Sequence, residues 1–509
     1  MRLLTQKQAS QLDEISINDH NIPEKSLMGM AGQKTANFIQ SQFQHNNGLS
    51  IEIVCGKGNN GGDGFAAAYF LKKSNYNVTI YSLFEPKSIS ETSLMFHDQC
   101  IDNGIEILYG NNVPNGKPKC EIVIDAVLGL GISGQLRGTI IEWTKWINSA
   151  KNVISIDVPS GLNVDSGEIS EDGVYADHTV TMGKTKFGMV VEPGKSHCGE
   201  IHIVDIGFPK VINQLDGRSW KLINDYDIKS KIKSIKPDTH KYLQGKLLIV
   251  AASQGMTGAA YLSTMAALRS GAGLTITCAP SSLNSIYENK ITEGMTLICN
   301  DDNNEGFFSE ENYEVIMDHV NWCDALVIGP GIGVEKPTAL LVEKLVQNVE
   351  KPMVIDADGL RPFYENFELF KKIKSNFVIT PHLGELGQII NKDPLEIRKE
   401  IIDVIDNFIK DFPGILLAKF SPSFVAWKSK GCVNSTGNPA LATAGSGDVL
   451  AGMIASLIAQ GHSTKNATII SIFIHGKAAD QLSRSISKRG MIASDLLYKI
   501  GRTFSDYEL

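Results

Sequence analysis

Short apolar runs alternate with longer amphipathic stretches along most of the chain, which is the pattern of an α/β protein. Two helix-like segments open the sequence, near residues 6–17 and 26–43. Runs typical of β-strands follow at residues 51–54, 77–83, 121–126, 153–157 and 201–205. Because these runs are almost continuously apolar and are separated by helices, they predict a parallel sheet with helices on both faces. Ligands of such sheets bind beyond the carboxyl ends of the strands.

A second alternating series begins after residue 245. Its strand-like runs lie at residues 247–251, 274–279, 325–329, 353–356, 377–380, 415–419 and 424–427. Between residues 207 and 245 the pattern fades, and the lysine-rich run at 229–236 is more typical of a solvated surface than of a binding patch. The sequence therefore predicts a linker there and two different three-layer α/β/α domains, with no internal repeat.

Composition narrows the class of protein and its partners. The 509 residues suit two large domains, and 42% apolar and 20% charged residues are ordinary globular values. A net charge of −8 argues against a nucleic-acid partner. The eight cysteines show no zinc-binding spacing, the first residues lack a signal-peptide core, and the longest apolar stretch is too short to cross a membrane. We therefore expect a cytoplasmic protein without a membrane or nucleic-acid partner, and the sequence leaves a homo-oligomer open.

The most informative segment is 438–452, where small residues and glycines precede one carboxylate at the start of a long apolar helix. The backbone N–H groups of Gly445, Ser446 and Gly447 would converge at the helix N-terminus, where the helix dipole favours phosphate. Asp448 would face the group that receives the phosphate. The structural alternative is a glycine-rich turn in which Asp448 caps a buried helix.

Four further loops follow predicted strands of the second half, at residues 253–260, 329–333, 356–360 and 380–385. They would meet the 438–452 segment at one sheet edge. Phosphoryl transfer to an alcohol needs a base and donors that hold charge on the transferred group, and Asp448, the glycine-loop amides and Lys419 can supply them. No Walker A motif is present. His382 could orient a substrate or could be a strand-end histidine satisfied by backbone. For Asp356 and Asp358 the pattern slightly favours a turn-and-cap role over a metal or catalytic one.

In the first half, a glycine-rich loop at 56–64 lies between a predicted strand and a helix, which is where a pyrophosphate binds. Two more strand-end loops, 125–135 and 157–163, each begin with an aspartate. Asp125 and Asp157 would lie within reach of one ligand, or both would cap the turns that follow; the pattern favours neither. Together with Asn60 and Ser160, these oxygen donors could hold a hard cation.

Five motifs of the second half, at residues 240–245, 255–260, 267–273, 380–385 and 444–448, together resemble the ribokinase-like NAD(P)H-hydrate dehydratases over residues 225–505. The resemblance implies a ribokinase-like domain that phosphorylates the C6 hydroxyl of hydrated NADH or NADPH and then eliminates phosphate. It assigns to the substrate Ala259, Gly331, Thr380, His382, Gly384, Glu385 and the catalytic Asp448. It assigns to the nucleotide Lys419, Phe420, Ser421, Pro422, Ser423, Asn438, Ala444, Gly445, Ser446 and Gly447. By analogy with two-domain relatives the nucleotide is ADP, with magnesium; Phe420 departs from the family's glycine and leaves ADP against ATP open.

The three loops of the first half resemble the NAD(P)H-hydrate epimerases over residues 1–215, a Rossmann-like domain. The implied reaction interconverts the R and S epimers at C6 and supplies the S form to the dehydratase. By this resemblance the substrate contacts Asn59, Asn60, Gly61, Gly62, Asp63, Gly129, Leu130, Gly131, Ile132, Ser133, Gly134, Gln135 and Asp157. A potassium ion would be held by Asn60, Asp125 and Ser160. Our hypothesis for the catalytic acid or base is Asp157.

Together the two resemblances predict a bifunctional repair enzyme whose small-molecule partners are NADHX, NADPHX and ADP. Two other readings stay open. A ribokinase-like small-molecule kinase would use the same Asp448 and stop at the phosphate ester. The first half could also be a dinucleotide-binding module without catalysis.

Overall fold

The computed structural model describes residues 1–43, 49–110, 112–131, 134–428 and 430–508. The chain divides into two compact units: Arg2–Gly217 forms the first, and Arg218–Leu509 with Met1 forms the second. Both are α/β units, so the predicted fold class is confirmed. None of the helices in the described ranges has the length and apolar character needed to span a membrane.

The first unit is a parallel sheet with helices between its strands. After the short β1 Arg2–Leu3, which is not part of this sheet, its strands are β2 Ser50–Cys55, β3 Asn77–Ser82, β4 Glu106–Tyr109, β5 Ile122–Ala126, β6 Val153–Ile156, β7 His178–Met182 and β8 Glu200–Val204. Its helices are α1 Gln6–Asn18, α2 Glu24–Gln42, α3 Asn59–Lys73, α4 Glu91–Asp102, α5 Thr139–Asn148 and α6 Gly194–His197. The sheet order is β4-β3-β2-β5-β6-β7-β8, and every neighbouring pair is parallel.

Packing around α3 fixes the carboxyl edge of the first sheet. All five residues of β5 are buried, and the small buried residues of α3 let it lie close to both the sheet and α2. A Cβ on Gly32 of α2 would come within 2.4 Å of the Ala66 Cβ, so only glycine allows this approach. The close contact places the first turn of α3 directly beyond the end of β2.

The second unit is larger and carries a mixed sheet. Its strands are β9 Ser219–Leu222, β10 Lys246–Val250, β11 Leu274–Pro280, β12 Met295–Cys299, β13 Ala325–Ile328, β14 Met353–Ile355, β15 Phe377–Ile379, β16 Ile415–Ala418, β17 Ser423–Trp427 and β18 Lys430–Asn434. Its helices are α7 Asp225–Lys229, α8 Thr257–Arg269, α9 Asn284–Lys290, α10 Tyr313–Val320, α11 Lys336–Asn348, α12 Glu368–Lys371, α13 Leu383–Ile390, α14 Pro394–Lys399, α15 Ile401–Asp411, α16 Ser446–Ala459, α17 Thr464–Leu482 and α18 Ala493–Ser505. Within this unit the strand order is β9-β18-β17-β16-β15-β14-β13-β10-β11-β12.

The strands from β16 to β12 in this order are parallel, whereas β17 is antiparallel to both of its neighbours. Every residue of α16 from Val449 to Ala459 is buried, because the helix lies within the core between the sheet, α8 and α17. An apolar helix in this position holds its first turn firmly at the carboxyl edge of the central strands.

The structure differs from the predicted elements mainly at sheet edges. The predicted linker was wrong at Ser219–Leu222, since this segment is β9 and pairs with β18. The sequence pattern also missed β4 and β12, which are largely exposed edge strands, and β7, which is rich in polar residues. Such strands lack the continuous apolar run on which the predictions depended.

Candidate functional site

A cavity of about 630 Å³ opens in the first unit beyond the carboxyl ends of β2, β5 and β6. Residues from the three predicted loops line it together with residues of α1 and α2. The lining includes Asn59, Asn60, Asp63, Gly129, Leu130, Gly131 and Asp157, all of which the sequence assigned to a substrate. The same cavity is lined by apolar groups such as Leu12, Leu27 and Phe208, so it offers both polar and apolar surface to a ligand.

Other predicted residues of this half lie away from the cavity wall. Gly61 and Gly62 are buried and pack against Gly56 and Met28, respectively. The Gln135 side chain accepts hydrogen bonds from Ser170 Oγ at 3.0 Å and from a neighbouring backbone N–H. Gly134 adopts a positive φ of 88° in the same loop. Ile132 and Ser133 fall outside the described residues.

Asp157 carries an ion pair at the base of the cavity. It follows β6 with a φ of 63°, a conformation that few residues other than glycine adopt. Its Oδ1 accepts hydrogen bonds from the Lys186 ammonium, from the Met182 N–H at 3.0 Å and from Thr181 Oγ1 at 3.2 Å. All the hydrogen bonds that described residues make to this carboxylate end on Oδ1. Oδ2 is therefore the atom left for a ligand.

Two further carboxyl groups in the cavity have raised pKa values. Burial, followed by repulsion from Asp157, raises the pKa of Asp13 to about 6, although Lys186 acts in the opposite direction. Burial raises the pKa of Asp63 well above its usual value, and the charges of Asp157 and Asp13 add to this effect. The cavity thus combines a carboxylate bound to an ammonium group with carboxyl groups that retain protons more readily, which is the arrangement that acid–base chemistry uses.

Asn60, Asp125 and Ser160 are buried together beside this cavity. The Asp125 carboxylate accepts hydrogen bonds from Ser160 Oγ at 2.6 Å, Ser160 N at 2.8 Å and Ser155 Oγ at 2.8 Å. Asn60 Nδ2 donates to the carbonyl oxygen of Leu128, which also accepts from Ser160 Oγ. Asn60 Oδ1 is buried without a hydrogen-bond partner among the described residues. An unpartnered buried oxygen beside other oxygen donors suits a hard cation.

In the second unit, Asp448 lies in the first turn of α16, after Gly445 in the left-handed conformation with a φ of 89°. Burial, followed by the nearby charge of Asp356, raises the pKa of Asp448 to about 7, while Lys419 opposes the rise. A carboxyl group with this pKa changes its charge near neutral pH. It therefore meets the requirement for a general base better than an ordinary aspartate does.

Lys419 lies across from the start of α16. Its ammonium contacts Asp356 Oδ1 at 2.7 Å, and the same oxygen accepts from Thr380 Oγ1 at 2.6 Å. Burial acts to lower the pKa of Lys419, but Asp356 and Glu385 outweigh it and the pKa rises, so the ammonium keeps its charge. A Cβ on Gly447 would lie 3.3 Å from the Lys419 Nζ. The helix N-terminus and the ammonium thus face the same space, with Asp448 beside them.

His382 forms a capping box at the start of α13. Its Nδ1 accepts from the Glu385 N–H at 3.1 Å, and Glu385 Oε2 accepts from the His382 N–H at 2.8 Å. The backbone therefore satisfies one ring nitrogen of His382, as the structural alternative expected. The imidazole side chain is still 59% exposed and can contact a ligand. Gly384 packs against this ring, where a Cβ would meet His382 Cε1 at 3.0 Å.

The remaining predicted residues form the surroundings of this edge. Gly331 has a φ of 59°, and a Cβ there would lie 2.9 Å from the Ala259 Cβ, so these two positions are in contact. Ala444 is exposed in the turn before α16. Asn438 donates to Asp480 Oδ1 at 3.0 Å and is held in place by it.

The Lys419 loop is closed by an aromatic stack. The Phe420 ring stacks on Phe424 with centroids 6.1 Å apart, and the guanidinium of Arg398 lies 5.8 Å from the Phe420 centroid. Ser423 Oγ donates to the Phe420 carbonyl at 3.1 Å, across the cis peptide bond between Ser421 and Pro422. The Phe420 ring therefore packs against β17.

Sequence reasoning missed several groups at both sites. Lys186 lies 29 residues beyond its partner Asp157, and Asp13 comes from the first helix. Asp480, which fixes Asn438, lies in α17. None of them follows a predicted strand. The only signal for Lys186 would have been its place in the short loop, four residues beyond the end of the polar strand β7.

The two units together define an α/β enzyme with separate sites at two strand-end edges: a phosphate cradle with a base, and a cavity with acid–base groups. Residues 247–502 match the family model described as NAD(P)H-hydrate dehydratase, and residues 24–188 match that of the YjeF-related protein N-terminus.

Relatives match almost the entire chain. A protein of Moorella thermoacetica described as a bifunctional NAD(P)H-hydrate repair enzyme is 32% identical over 98% of this chain and 95% of its own length. A protein of the same description from Dictyoglomus turgidum is 31% identical over 98% of this chain and 97% of its own length. The chain belongs to the family of bifunctional NAD(P)H-hydrate repair enzymes.

A solved structure of a ribokinase-like superfamily protein from Enterococcus faecalis has a TM-score of 0.50 and 19% identity. It covers 57% of this chain and 96% of its own. This similarity supports the ribokinase-like fold.

Proposed function

We propose that this chain repairs hydrated NADH and NADPH in two consecutive reactions. The first unit epimerises the R and S forms at C6, and the second dehydrates the S form with ADP, giving the reduced dinucleotide, AMP and phosphate. The observation that carries this proposal is the half-buried Asp448, with a pKa of about 7, at a helix N-terminus that faces the Lys419 ammonium. We assign the epimerase to residues 1–215 and the dehydratase to residues 225–505.

In the dehydratase, the Asp448 carboxylate takes the proton from the C6 hydroxyl as its oxygen attacks the terminal phosphorus of ADP. The N–H groups at the start of α16 and the Lys419 ammonium hold the negative charge on the transferred group. AMP leaves, and loss of phosphate from C6 together with a proton from C5 then restores the double bond of the dihydropyridine ring. Asp356 acts as a positioning residue, because it holds the ammonium that faces the cradle.

The substrate and the nucleotide approach this centre from two sides. The substrate contacts the Gly331–Ala259 side and the exposed ring of His382, and the nucleotide lies along the Lys419 loop and the 438–447 turn. Asp480 supports that side, because it holds Asn438 and the Gly437 N–H. Magnesium would enter with ADP, because it prefers oxygen ligands and the phosphates would supply them.

In the epimerase, the C6 hydroxyl leaves with a proton from a carboxyl group, and water returns to either face of the planar intermediate while a carboxylate takes its proton. Asp63, whose pKa burial raises well above its usual value, supplies the proton. Asp157, whose Oδ1 is held by Lys186, accepts the proton of the returning water through Oδ2. Two carboxyl groups in different environments thus fill the acid and base roles.

A potassium ion fits the donor set at Asn60, Asp125 and Ser160. All three offer oxygen, and Asn60 Oδ1 has no hydrogen-bond partner among the described residues. When bound, the ion supplies a fixed positive charge that orients the loop after β5 and any substrate phosphate near it. Nitrogen-preferring metals do not suit such a site.

Incubation of the purified S hydrate with ADP tests the dehydratase. We expect recovery of the absorbance of the reduced nicotinamide, with one AMP and one phosphate released for each hydrate. Asp448→Asn should lose about two or more orders of magnitude in rate while its circular dichroism stays unchanged. A stable phosphorylated hydrate as the final product would instead establish the kinase reading.

Chiral separation of the hydrate epimers over time, without ADP, tests the epimerase. Wild type should bring purified R hydrate to the equilibrium mixture, and Asp157→Asn should fall to the uncatalysed rate. Asp448→Asn is the matched control and should epimerise normally. Equal rates for wild type and Asp157→Asn would remove the epimerase proposal and favour a binding module.

A further inference from the structure

Away from both strand-end sites, two histidines and a glutamate come together on the outer strands of the first sheet. His178 begins β7 and pairs in register with Glu200, which begins β8. His202 lies two residues after Glu200 on the same strand. Because side chains alternate between faces along a strand, all three project from one face.

Their ligand atoms are close enough to share one small ion. His178 Nδ1 is 3.1 Å from His202 Nε2, and Glu200 Oε2 lies 3.7 Å from the first nitrogen and 3.8 Å from the second. Ligand atoms at about 2.0–2.1 Å from a tetrahedral ion are roughly 3.3 Å apart, by simple geometry. The three distances lie on both sides of this value, so small side-chain rotations would complete the site.

We propose that His178, Glu200 and His202 form a binding site for a divalent transition-metal ion of the Zn²⁺ class. Two imidazoles and one carboxylate are a donor set that zinc favours, whereas magnesium, calcium and potassium prefer oxygen alone. The site lies at the amino ends of β7 and β8, opposite the catalytic edge of a parallel sheet. It is therefore separate from the oxygen site at Asn60 and from the epimerase cavity.

The surroundings hold the two imidazoles and leave the carboxylate free to close on an ion. The Phe38 ring of α2 packs on both histidines, with centroid distances of 5.4 Å to His178 and 4.3 Å to His202. The two histidine side chains are 17% and 22% exposed, whereas the Glu200 side chain is 68% exposed. A solvent molecule can complete the coordination from this open side. The ion would tie the edge strand β8 to β7.

Titration of the chelator-treated full chain with ZnCl₂, without nucleotide, tests the proposal by calorimetry. We expect wild type to bind one equivalent that His202→Gln does not bind, in the presence of excess Mg²⁺ and K⁺. Glu200→Gln should bind this equivalent at least about 10-fold more weakly, because loss of a charged direct ligand should cost no less than loss of an outer-shell partner. His20→Gln, which removes an exposed histidine elsewhere in the same unit, is the matched control and should bind like wild type.

Co²⁺ in place of Zn²⁺ gives a spectroscopic readout. Visible absorption bands of a four-coordinate cobalt site should appear with wild type and His20→Gln and be lost with His202→Gln. The melting temperature of wild type should rise with Zn²⁺ concentration, because the ion binds only the folded chain. Binding that is absent, or equal in wild type, Glu200→Gln and His202→Gln, would overturn the proposal and leave a simple histidine–histidine hydrogen bond. Glu200 is exposed, so its variant keeps the test valid should His202→Gln fail to fold.

Discussion

Asp157, directly after β6, and Asp448, in the first turn of α16, have different surroundings. Asp448 lies in an apolar first turn near the negative Asp356, and burial is the largest cause of its raised pKa. Asp157 instead accepts three hydrogen bonds on one oxygen, one of them from Lys186. The same residue type therefore has a raised pKa in one unit and an ion pair with lysine in the other.

The pH dependence of dehydration follows from Asp448. Since a general base must be deprotonated and burial raises its pKa to about 7, the rate with saturating ADP should fall as the pH drops below about 7 and level off above it. Asp358→Asn removes a negative neighbour that raises this pKa, so its acid limb should shift to lower pH. Initial rates over a range of pH measure the acid limb of wild type and that of Asp358→Asn. A rate that is flat through neutral and mildly acidic pH would contradict the role of Asp448.

Lys186→Met should damage both stability and epimerisation. It leaves the buried Asp157 carboxylate without its cation, and breaking one side of a buried ion pair costs about 3–5 kcal/mol. The double variant Asp157→Asn/Lys186→Met should regain part of the free energy of unfolding but none of the epimerase rate. Denaturant unfolding and chiral separation measure the two effects. Full recovery of epimerisation in the double variant would exclude a catalytic role for the pair.

At the residue scale, the sequence could indicate only groups that follow a strand or open a helix. Asp157, Lys419 and Asp448 have such positions, and the structure places each of them at a strand-end edge. Lys186 and Asp13 reach the same cavity from a later loop and from an early helix. Their side chains are brought there by tertiary packing, which leaves no local pattern.

At the scale of elements, the start of α16 is the critical feature of the second unit. The turn requires glycine at position 445, because φ is positive there and because a Cβ would lie 2.4 Å from the Leu262 side chain. The buried helix behind it prevents the turn from moving. The small-residue pattern predicted this turn, whereas the Lys419–Asp356 ion pair beside it comes from two different strand ends.

Gly447→Ala tests the alignment between this helix and Lys419. The new Cβ would lie 3.3 Å from the Lys419 Nζ, and the flexible end of the lysine can move away, so we expect normal folding but slower dehydration. Gly501→Ala, on the exposed face of α18, is the control and should keep full activity and gain about 0.5–1 kcal/mol of stability. Thermal unfolding and the rate of ADP-dependent dehydration distinguish the two variants. Equal dehydration rates in the two variants would argue against this alignment.

Elements were predictable where they are buried and apolar. Strands such as β5 and β13, with every residue buried, gave clear signals, whereas the exposed edge strands β4 and β12 did not. β9 lies in a segment whose sequence predicted a linker, because this strand forms only by pairing with β18. The pairing of an edge strand depends on the folded sheet, and the local hydropathy of the sequence gives little sign of it.

At the scale of the whole molecule, the chain combines two α/β units, each with its own site at a sheet edge. The alternation of strands and helices predicted this class, and the family motifs predicted the pairing of two activities on one substrate. The cavity of the first unit and the carboxyl groups within it could be found only from the structure. A shared hydrate explains why two unrelated sites occur in one chain: only one epimer enters the second reaction.

The most direct test is a progress curve of racemic hydrate with excess ADP, over a time that is short compared with uncatalysed epimerisation. Wild type should convert both epimers to the reduced dinucleotide. Asp157→Asn should stop when the S epimer is consumed, and Asp448→Asn should produce almost none while still equilibrating the epimers. Conversion of both epimers by Asp157→Asn at the wild-type rate, or undiminished dehydration by Asp448→Asn, would contradict the account.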